Sequence, residues 1–322
     1  MNTRKMLTAL KGVGTALVIG AASMTANAAD WTPPGPIKLM IGFKAGGGVD
    51  TQARLIAEEL SIRHGWTIIP EQVTGKGGLN LAKALKKAPN DGTAIGMVVT
   101  ETLGYNMIVA KRSGLKLNDF TPLTTTAGFQ MGIVARTDKG WKNMHDVIAA
   151  AKNGQKIRFG VLTPRLADVA YLLGKANGVD FNLVSLRGGK AAMNGINAGD
   201  IDVGWATGIQ NKAVLAGDMV NLASGIKTPL KVSPEAPLLK DLGVDFTTDG
   251  YFMFAAPAGL PDEARKAISE AIAEIVNDPT TKAGGMIKKA FMGAEVIKGQ
   301  DLNAFLENDT RESLRLLEAA SQ

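Results

Sequence analysis

From residue 36 onward, short apolar runs alternate with helix-patterned segments, and that alternation leaves the chain few ways to fold. IKLMIGF (Ile37 to Phe43) reads as a buried strand, while TQARLIAEEL places Ala53, Ile56, Ala57 and Leu60 on one helical face. WTIIPEQV is the next strand, and GGLNLAKALKK the next helix, with Leu79, Ala82 and Leu85 together. PNDGT marks a turn and AIGMVVT a third strand. Strand, helix, strand, helix, strand implies a parallel sheet with right-handed crossovers. The rhythm then repeats with MGIVART, IRFGVL, FNLVSL and IDVGWA as strands, and MHDVIAAAK, LADVAYLLGKA and KAAMNGINAG as helices. Beyond a loop holding Pro229, Pro234 and Pro237 comes the strand GYFMFAAP. The helix PDEARKAISEAIAEIV carries Ala264, Ile268, Ala271, Ile272 and Ile275 on one stripe, and a final helix runs from about Asp301 to Ala319. This order predicts two α/β units side by side, with the last helices packed on one of them.

A chain of 322 residues, 45% of them hydrophobic, is sized for about two domains. Its first 28 residues read as a signal peptide. Arg4, Lys5 and Lys11 precede an apolar run from about Val13 to Met24, and Ala26-Asn27-Ala28 supplies an A-x-A signal, so cleavage is expected after Ala28. The run is shorter than the ~20 apolar residues of a membrane span. A soluble periplasmic protein is therefore expected. Removing three basic and no acidic residues lowers the net charge of +6 to 6 − 3 = +3, with 33 Lys and Arg against 30 Asp and Glu. These charges are dispersed, which argues against nucleic acid as a partner. With no cysteine, disulfides, thiolate metal sites and cysteine nucleophiles are excluded. His64 and His145 each stand alone near a helix end and read as solvated residues. No metal and no cofactor is expected.

Ligands of open α/β sheets bind beyond the carboxyl ends of the strands, so the loops there carry the functional reading. After the first strand comes FKAGGGVD, after the third TETLGYN, after IRFGVL TPRLAD, after FNLVSL RGGKAA, and after IDVGWA TGIQ. The first loop lacks the G-K-[ST] ending of a nucleoside triphosphate loop and the G-x-G-x-x-G spacing of a dinucleotide loop. What remains is the general device of unpaired N–H groups and a helix dipole offered to an anion. Gly46, Gly47 and Gly48 let the backbone approach a carboxylate, and Asp50 or Thr51 caps the helix. RGGKAA repeats the logic: Arg187 suits a bidentate carboxylate pair, Gly188 and Gly189 expose amides, and Lys190 adds charge. TPRLAD offers Thr163 and Arg165 at a helix start, with Asp168 in its first turn. Glu101 would repel an anion directly and instead meets a substrate donor or solvent; Trp205 is a pocket wall or core.

In its motifs the chain resembles the receptors of tripartite tricarboxylate transporters, also called Bug-type extracytoplasmic solute receptors. The resemblance runs from PPGPIKLMIGFKAGGGVDTQARLIAEEL through GKGGLNLAKAL, APNDGTAIGMV, DFTPLT and GGKAAMNGINAGDIDVGW to FAAPAGLPDEARKAISEAI. It implies an α/β, two-domain periplasmic-binding-protein fold of type II: two doubly wound sheets, two crossover strands and a ligand cleft between the domains. One domain would comprise about 30–130 plus 253–322, the other 131–252, with MGIVART and GYFMFAAP as the crossing strands and the last helices returning to the first domain. The family holds its ligand mainly through loop amides. Carried over by position, these fall on Phe43, Lys44, Ala45, Gly46, Gly47, Gly48, Asp50 and Thr51, then Thr100 and Glu101, and from the facing domain Thr163, Arg165, Asp168, Arg187, Gly188, Gly189, Lys190 and Thr207. The chain departs from the family in having Lys44 where proline is frequent, Leu186-Arg187-Gly188 where Y-K-G is frequent, and Ala206-Thr207 in place of an Asp-Asn pair.

The leading expectation is a monomeric periplasmic binding protein, not an enzyme. It would deliver a small organic carboxylate to integral-membrane transporter subunits, and the extra cations point to two carboxylates, with an aromatic acid also open. A second reading keeps the binding and makes the partner a membrane sensor kinase. A third, a secreted hydrolase with Asp50, Glu101 or Asp168 as base, lacks a nucleophile–base pair.

Overall fold

The computed structural model describes residues 31–322; the leader expected over 1–28 lies outside them. The first unit opens with β1 (Ile37–Ile41), α1 (Gly48–His64), β2 (Ile68–Gln72), α2 (Leu79–Leu85) and β3 (Ala94–Val99). Two short helices, α3 (Thr100–Leu103) and α4 (Tyr105–Val109), and the strand β4 (Phe120–Gly128) complete that part. The second unit holds β5 (Gly132–Arg136), α5 (Met144–Lys152), β6 (Arg158–Val161), α6 (Pro164–Asn177), β7 (Asn182–Ser185) and α7 (Gly189–Ala198). It ends with β8 (Val203–Ala206), α8 (Asn211–Leu215) and β9 (Met219–Ser224). The chain closes with β10 (Tyr251–Pro257), α9 (Asp262–Asn277), α10 (Lys282–Phe291) and α11 (Gly299–Ser321).

These strands form two five-stranded sheets, ordered β2-β1-β3-β10-β4 and β7-β6-β8-β5-β9. The expected parallel pairings β1–β2, β1–β3, β6–β7 and β6–β8 are present. Each sheet is nevertheless mixed, because β10 runs antiparallel to β3 and β4, and β5 antiparallel to β8 and β9. The chain leaves the first sheet after Gly128 and enters the second at Gly132; it returns after β9, through 225–250, to β10. Either passage reverses strand direction, which explains the antiparallel members.

Continuous apolar strands fit sheets covered on both faces: β3 is buried along its whole length. The α9 stripe of Ala264, Ile268, Ala271, Ile272 and Ile275 is buried as its periodicity requires, and burying a single isoleucine contributes about 2 kcal/mol. The helix packs on β4 and α1. The last helix does more than return to the first sheet. Leu302, Leu306, Asp309, Ser313 and Leu316 form its buried face, which meets β4 and α4 in the first unit and α6 in the second. Trp205 is fully buried, donates from Nε1 to the Leu166 carbonyl at 3.1 Å and packs on Phe159, so it belongs to the core. His64 rests against Trp66, and His145 lies beside Asn143.

Candidate functional site

The glycine loop sits between β1 and α1, where a buried strand must turn into a helix. Gly47 is the N-cap residue in an extended conformation, and no side chain caps the helix. Asp50 performs that work from inside the first turn. Its Oδ2 accepts the Gly46 N–H at 2.9 Å, and its Oδ1 accepts from Arg54 Nε at 2.8 Å and from Gln72 Nε2. The carboxylate is buried and engaged by the protein itself, so it braces the loop. The Gly47 amide is also used, donating to the Lys44 carbonyl at 3.2 Å, and the Thr51 amide donates to the Gly47 carbonyl at 2.9 Å. Amides offered to an anion are therefore those opening the helix, at Gly48, Val49 and Asp50, which precede Thr51, the first amide to donate along the helix.

Two glycines here have distinct steric reasons. Gly46 has φ +77°, a left-handed conformation that is costly for an L side chain. At Gly48, an added Cβ would stand 3.2 Å from Phe291 and 3.3 Å from Phe252, an aromatic pair with centroids 4.7 Å apart that backs the loop. Lys44, Ala45 and Gly46 are exposed, and Phe43 is half-buried.

The second anion-suited helix start is α7, with Gly188 as N-cap at φ 96°. Arg187 and Lys190 project from this turn, both exposed. Lys190 Nζ lies 3.8 Å from the position a Gly46 Cβ would occupy. The RGGK turn of the second sheet and the glycine loop of the first are thus face to face. Gly189 packs toward Ile209, 3.1 Å from its would-be Cβ. The Thr207 carbonyl accepts the Gln130 amide at 3.1 Å, and a Cβ added at Gly208, at φ 134°, would stand 2.9 Å from the Ala290 carbonyl and from Phe291. Phe291 therefore backs both the glycine loop and the loop after β8. The sequence reading missed this residue, since α10 with its paired Gly284 and Gly285 gives no helical signal.

A third group of expected residues is brought together, but its members engage one another. Thr100 is buried and its Oγ1 accepts the Tyr251 amide at 3.1 Å. Thr163 caps α6, accepting the Leu166 amide at 3.3 Å. Arg165 is buried; Nη1 donates to Asp309 Oδ1 at 2.7 Å and Nη2 to the Thr247 carbonyl at 3.1 Å. Asp168 accepts a hydrogen bond from the Tyr105 hydroxyl. Glu101 is buried, and its Oε1 has no hydrogen-bond partner. Burial pushes the Glu101 carboxyl up to about 7; the Arg165 charge and the Thr163 hydroxyl oppose the rise, and the Asp309 charge adds to it. Arg165 and Asp168 were expected to face a ligand. The structure occupies them with helices of the first unit, because α6 presents its first turn to α4 and α11.

A cavity of about 80 Å³ opens beside this cluster, lined by Arg165, Phe246, Thr247, Asp249, Asp309 and Glu312. A neighbouring cavity of about 350 Å³ is lined by Lys227, Lys240, Asp245, Phe246 and Arg315 among others. Neither is lined by the glycine loop or the RGGK turn.

Residues 52–321 match the tripartite tricarboxylate transporter family receptor. A UPF0065 protein from the ttuE-ttuC' intergenic region of Agrobacterium vitis is 28% identical over 259 residues, covering 79% of this chain and 75% of its own. Among solved structures, R. palustris Rpa4515 with adipate is similar at a TM-score of 0.78 and 22% identity, over 90% of this chain and 98% of that one. MatC (Rpa3494) from Rhodopseudomonas palustris with bound malate is similar at 0.76 and 18%, over 88% and 99%. At such identities the structural likeness establishes the two-domain α/β fold.

Proposed function

The chain belongs to the tripartite tricarboxylate transporter receptor family, and we propose that it captures a small organic carboxylate between its two lobes and hands it to integral-membrane transporter subunits. Residues 30–130 with 253–322 form one lobe in this reading and 131–252 the other. The protein works in the periplasm after loss of the leader at Ala28, and as a receptor it needs no bond-making chemistry. One observation carries the reading: Lys190 Nζ stands 3.8 Å from the Cβ position of Gly46, so the cationic turn of one lobe reaches the helix start of the other. An anion held there meets the α1 amides from one side and Lys190 with Arg187 from the other, while Lys44 raises the local potential. Oriented amides and two or three fixed cations suit a ligand with two carboxylates. The adipate and malate named with the two R. palustris proteins are acids of that class.

A thermal-shift screen of the purified protein against mono-, di- and tricarboxylates tests the proposal. A ligand that binds only the folded state stabilises it by about 2.7 kcal/mol at a hundredfold excess over its dissociation constant. Selective stabilisation by an aliphatic dicarboxylate is the expected result, and no stabilisation by any acid of the panel would overturn it.

A further inference from the structure

Glu101, Arg165 and Asp309 are buried residues of three helices, α3, α6 and α11; α11 packs on both α3 and α6, and the Arg165–Asp309 pair joins the two lobes. The cluster holds two acids and one base, and it is short of donors. Glu101 Oε1 and Asp309 Oδ2 are buried acceptors without a partner, and Arg165 Nε is a buried donor without one. A native interior rarely leaves three such atoms without partners. One added proton changes the arithmetic: with Glu101 neutral, Arg165 and Asp309 remain a matched pair, and the carboxylic acid supplies a donor. When Glu101 ionises, a second buried negative charge shares the same guanidinium, at a cost that burial enlarges. The adjoining cavity of about 80 Å³, lined by Arg165, Asp309, Asp249 and Glu312, has room for water, which gives the cluster a route for proton exchange.

We propose that Glu101, Arg165 and Asp309 form a proton-sensitive latch, holding the two lobes together while Glu101 is protonated and loosening as it ionises. This rests on the reading of two lobes that close on a ligand. The groups facing Glu101 are the Arg165 guanidinium and Thr163 hydroxyl from the start of α6, Asp309 from α11 and Tyr105 from α4; Asp168 holds the Tyr105 hydroxyl, and Asp249 adds its charge to Arg165. The sign follows from linkage. Joined lobes bury Glu101 and hold its titration near 7, against 4.5 for the free side chain. The joined state therefore binds the proton more tightly and gains at low pH; it weakens as pH rises through 7. Between pH 6 and 8 the ratio of joined to separated lobes falls by about tenfold.

Small-angle scattering on the ligand-free protein reads the latch directly. The radius of gyration is expected to be larger at pH 8 than at pH 6, and in Glu101→Gln to stay at the compact pH 6 value at both. An unchanged radius in the wild type, or the same change in Glu101→Gln, overturns the latch. Calorimetry with adipate, mainly the dianion across this range, supplies the second readout: affinity is expected to fall up to about tenfold from pH 6 to 8 in the wild type and not to fall in the variant. Adipate binding that is independent of pH overturns the latch and leaves the receptor reading intact. Absence of binding strikes the receptor reading, while scattering still decides the latch. Should Glu101→Gln fail to fold, carbon NMR of the wild-type Glu101 carboxyl decides: a midpoint near 7 supports the latch and one below 5 overturns it.

Discussion

Arg165 Nη1 donates to Asp309 Oδ1 at 2.7 Å with both side chains buried, joining residues 144 positions apart on helices α6 and α11. Removing one member of such a pair leaves a buried charge alone, whereas removing both does not. Arg165→Met is therefore expected to destabilise the protein by about 3 kcal/mol, and Asp309→Leu by a comparable amount. The double variant should recover most of that loss. Urea unfolding of the four proteins gives the coupling energy. Additive losses would mean that the two charges do not depend on each other.

The glycines offer a sharper test of conformation against crowding. Gly46 has φ +77°, yet the nearest atom to an added Cβ is Lys190 Nζ at 3.8 Å, so Gly46→Ala meets only backbone strain, about 1 kcal/mol. Gly78 has φ 90°, and its Cβ would stand 2.6 Å from Thr102 Oγ1. Thr102 in turn donates to the Gly77 carbonyl at 2.9 Å, so it is not free to move aside. Gly78→Ala should then cost more than about 2 kcal/mol, strain and overlap together. Equal unfolding midpoints for the two variants would contradict this steric account.

The alternation of strand and helix made the two α/β units legible, because buried parallel strands and amphipathic helices each leave a period in the sequence. β4 left none. FTPLTTTAG is rich in threonine and holds Pro122, a poor strand signature, yet every residue after Thr121 is buried. Its hydroxyls find partners only the fold supplies: Thr125 donates to the Glu295 carbonyl and Thr126 to Gln52 Oε1. Pro122 is tolerated because β4 is the edge strand of its sheet. The glycine loop and the RGGK turn were legible as anion-suited helix starts, and the structure sets them opposite one another. The engagement of Arg165 with α11 and of Asp168 with α4 was not, since nothing local in TPRLAD announces Asp309 or Tyr105. Asp50 was read as a cap or ligand group; its use as a brace depends on Gln72, contributed by the neighbouring strand β2.

Acid stability should depend on Asp202. This carboxylate is buried just before β8, and burial alone would raise its titration. Three contacts from Arg158 at 3.0 Å, one of them from the backbone amide, and Lys139 Nζ at 2.9 Å outweigh that and hold it well below the usual carboxylate range. A depressed folded-state value stabilises the protein above the unfolded value of about 4, and that stability is lost as pH falls further. Asp202→Asn is expected to cost about 2 kcal/mol at neutral pH and to flatten the decline in urea midpoint between pH 4 and pH 2. A variant whose acid limb parallels the wild type would remove Asp202 from that role.

Arg187 and Lys190 separate recognition of one carboxylate from recognition of two. Both side chains are exposed, so replacing them should leave the unfolding midpoint within about 0.5 kcal/mol of wild type. Their effect belongs to the ligand. If the α1 amides hold one carboxylate and the RGGK turn the other, Arg187→Ala weakens a dicarboxylate by about 2 kcal/mol, roughly thirtyfold, and a monocarboxylate of equal length far less. Lys190→Glu goes further, because it sets a negative charge beside Gly46 and opposes any anion at the glycine loop. Calorimetry with adipate and hexanoate against the three proteins checks both statements. Equal losses for the two acids in Arg187→Ala would place both cations on a single carboxylate. Unchanged affinity in Lys190→Glu would mean that the ligand does not pass between these two turns, whatever their proximity.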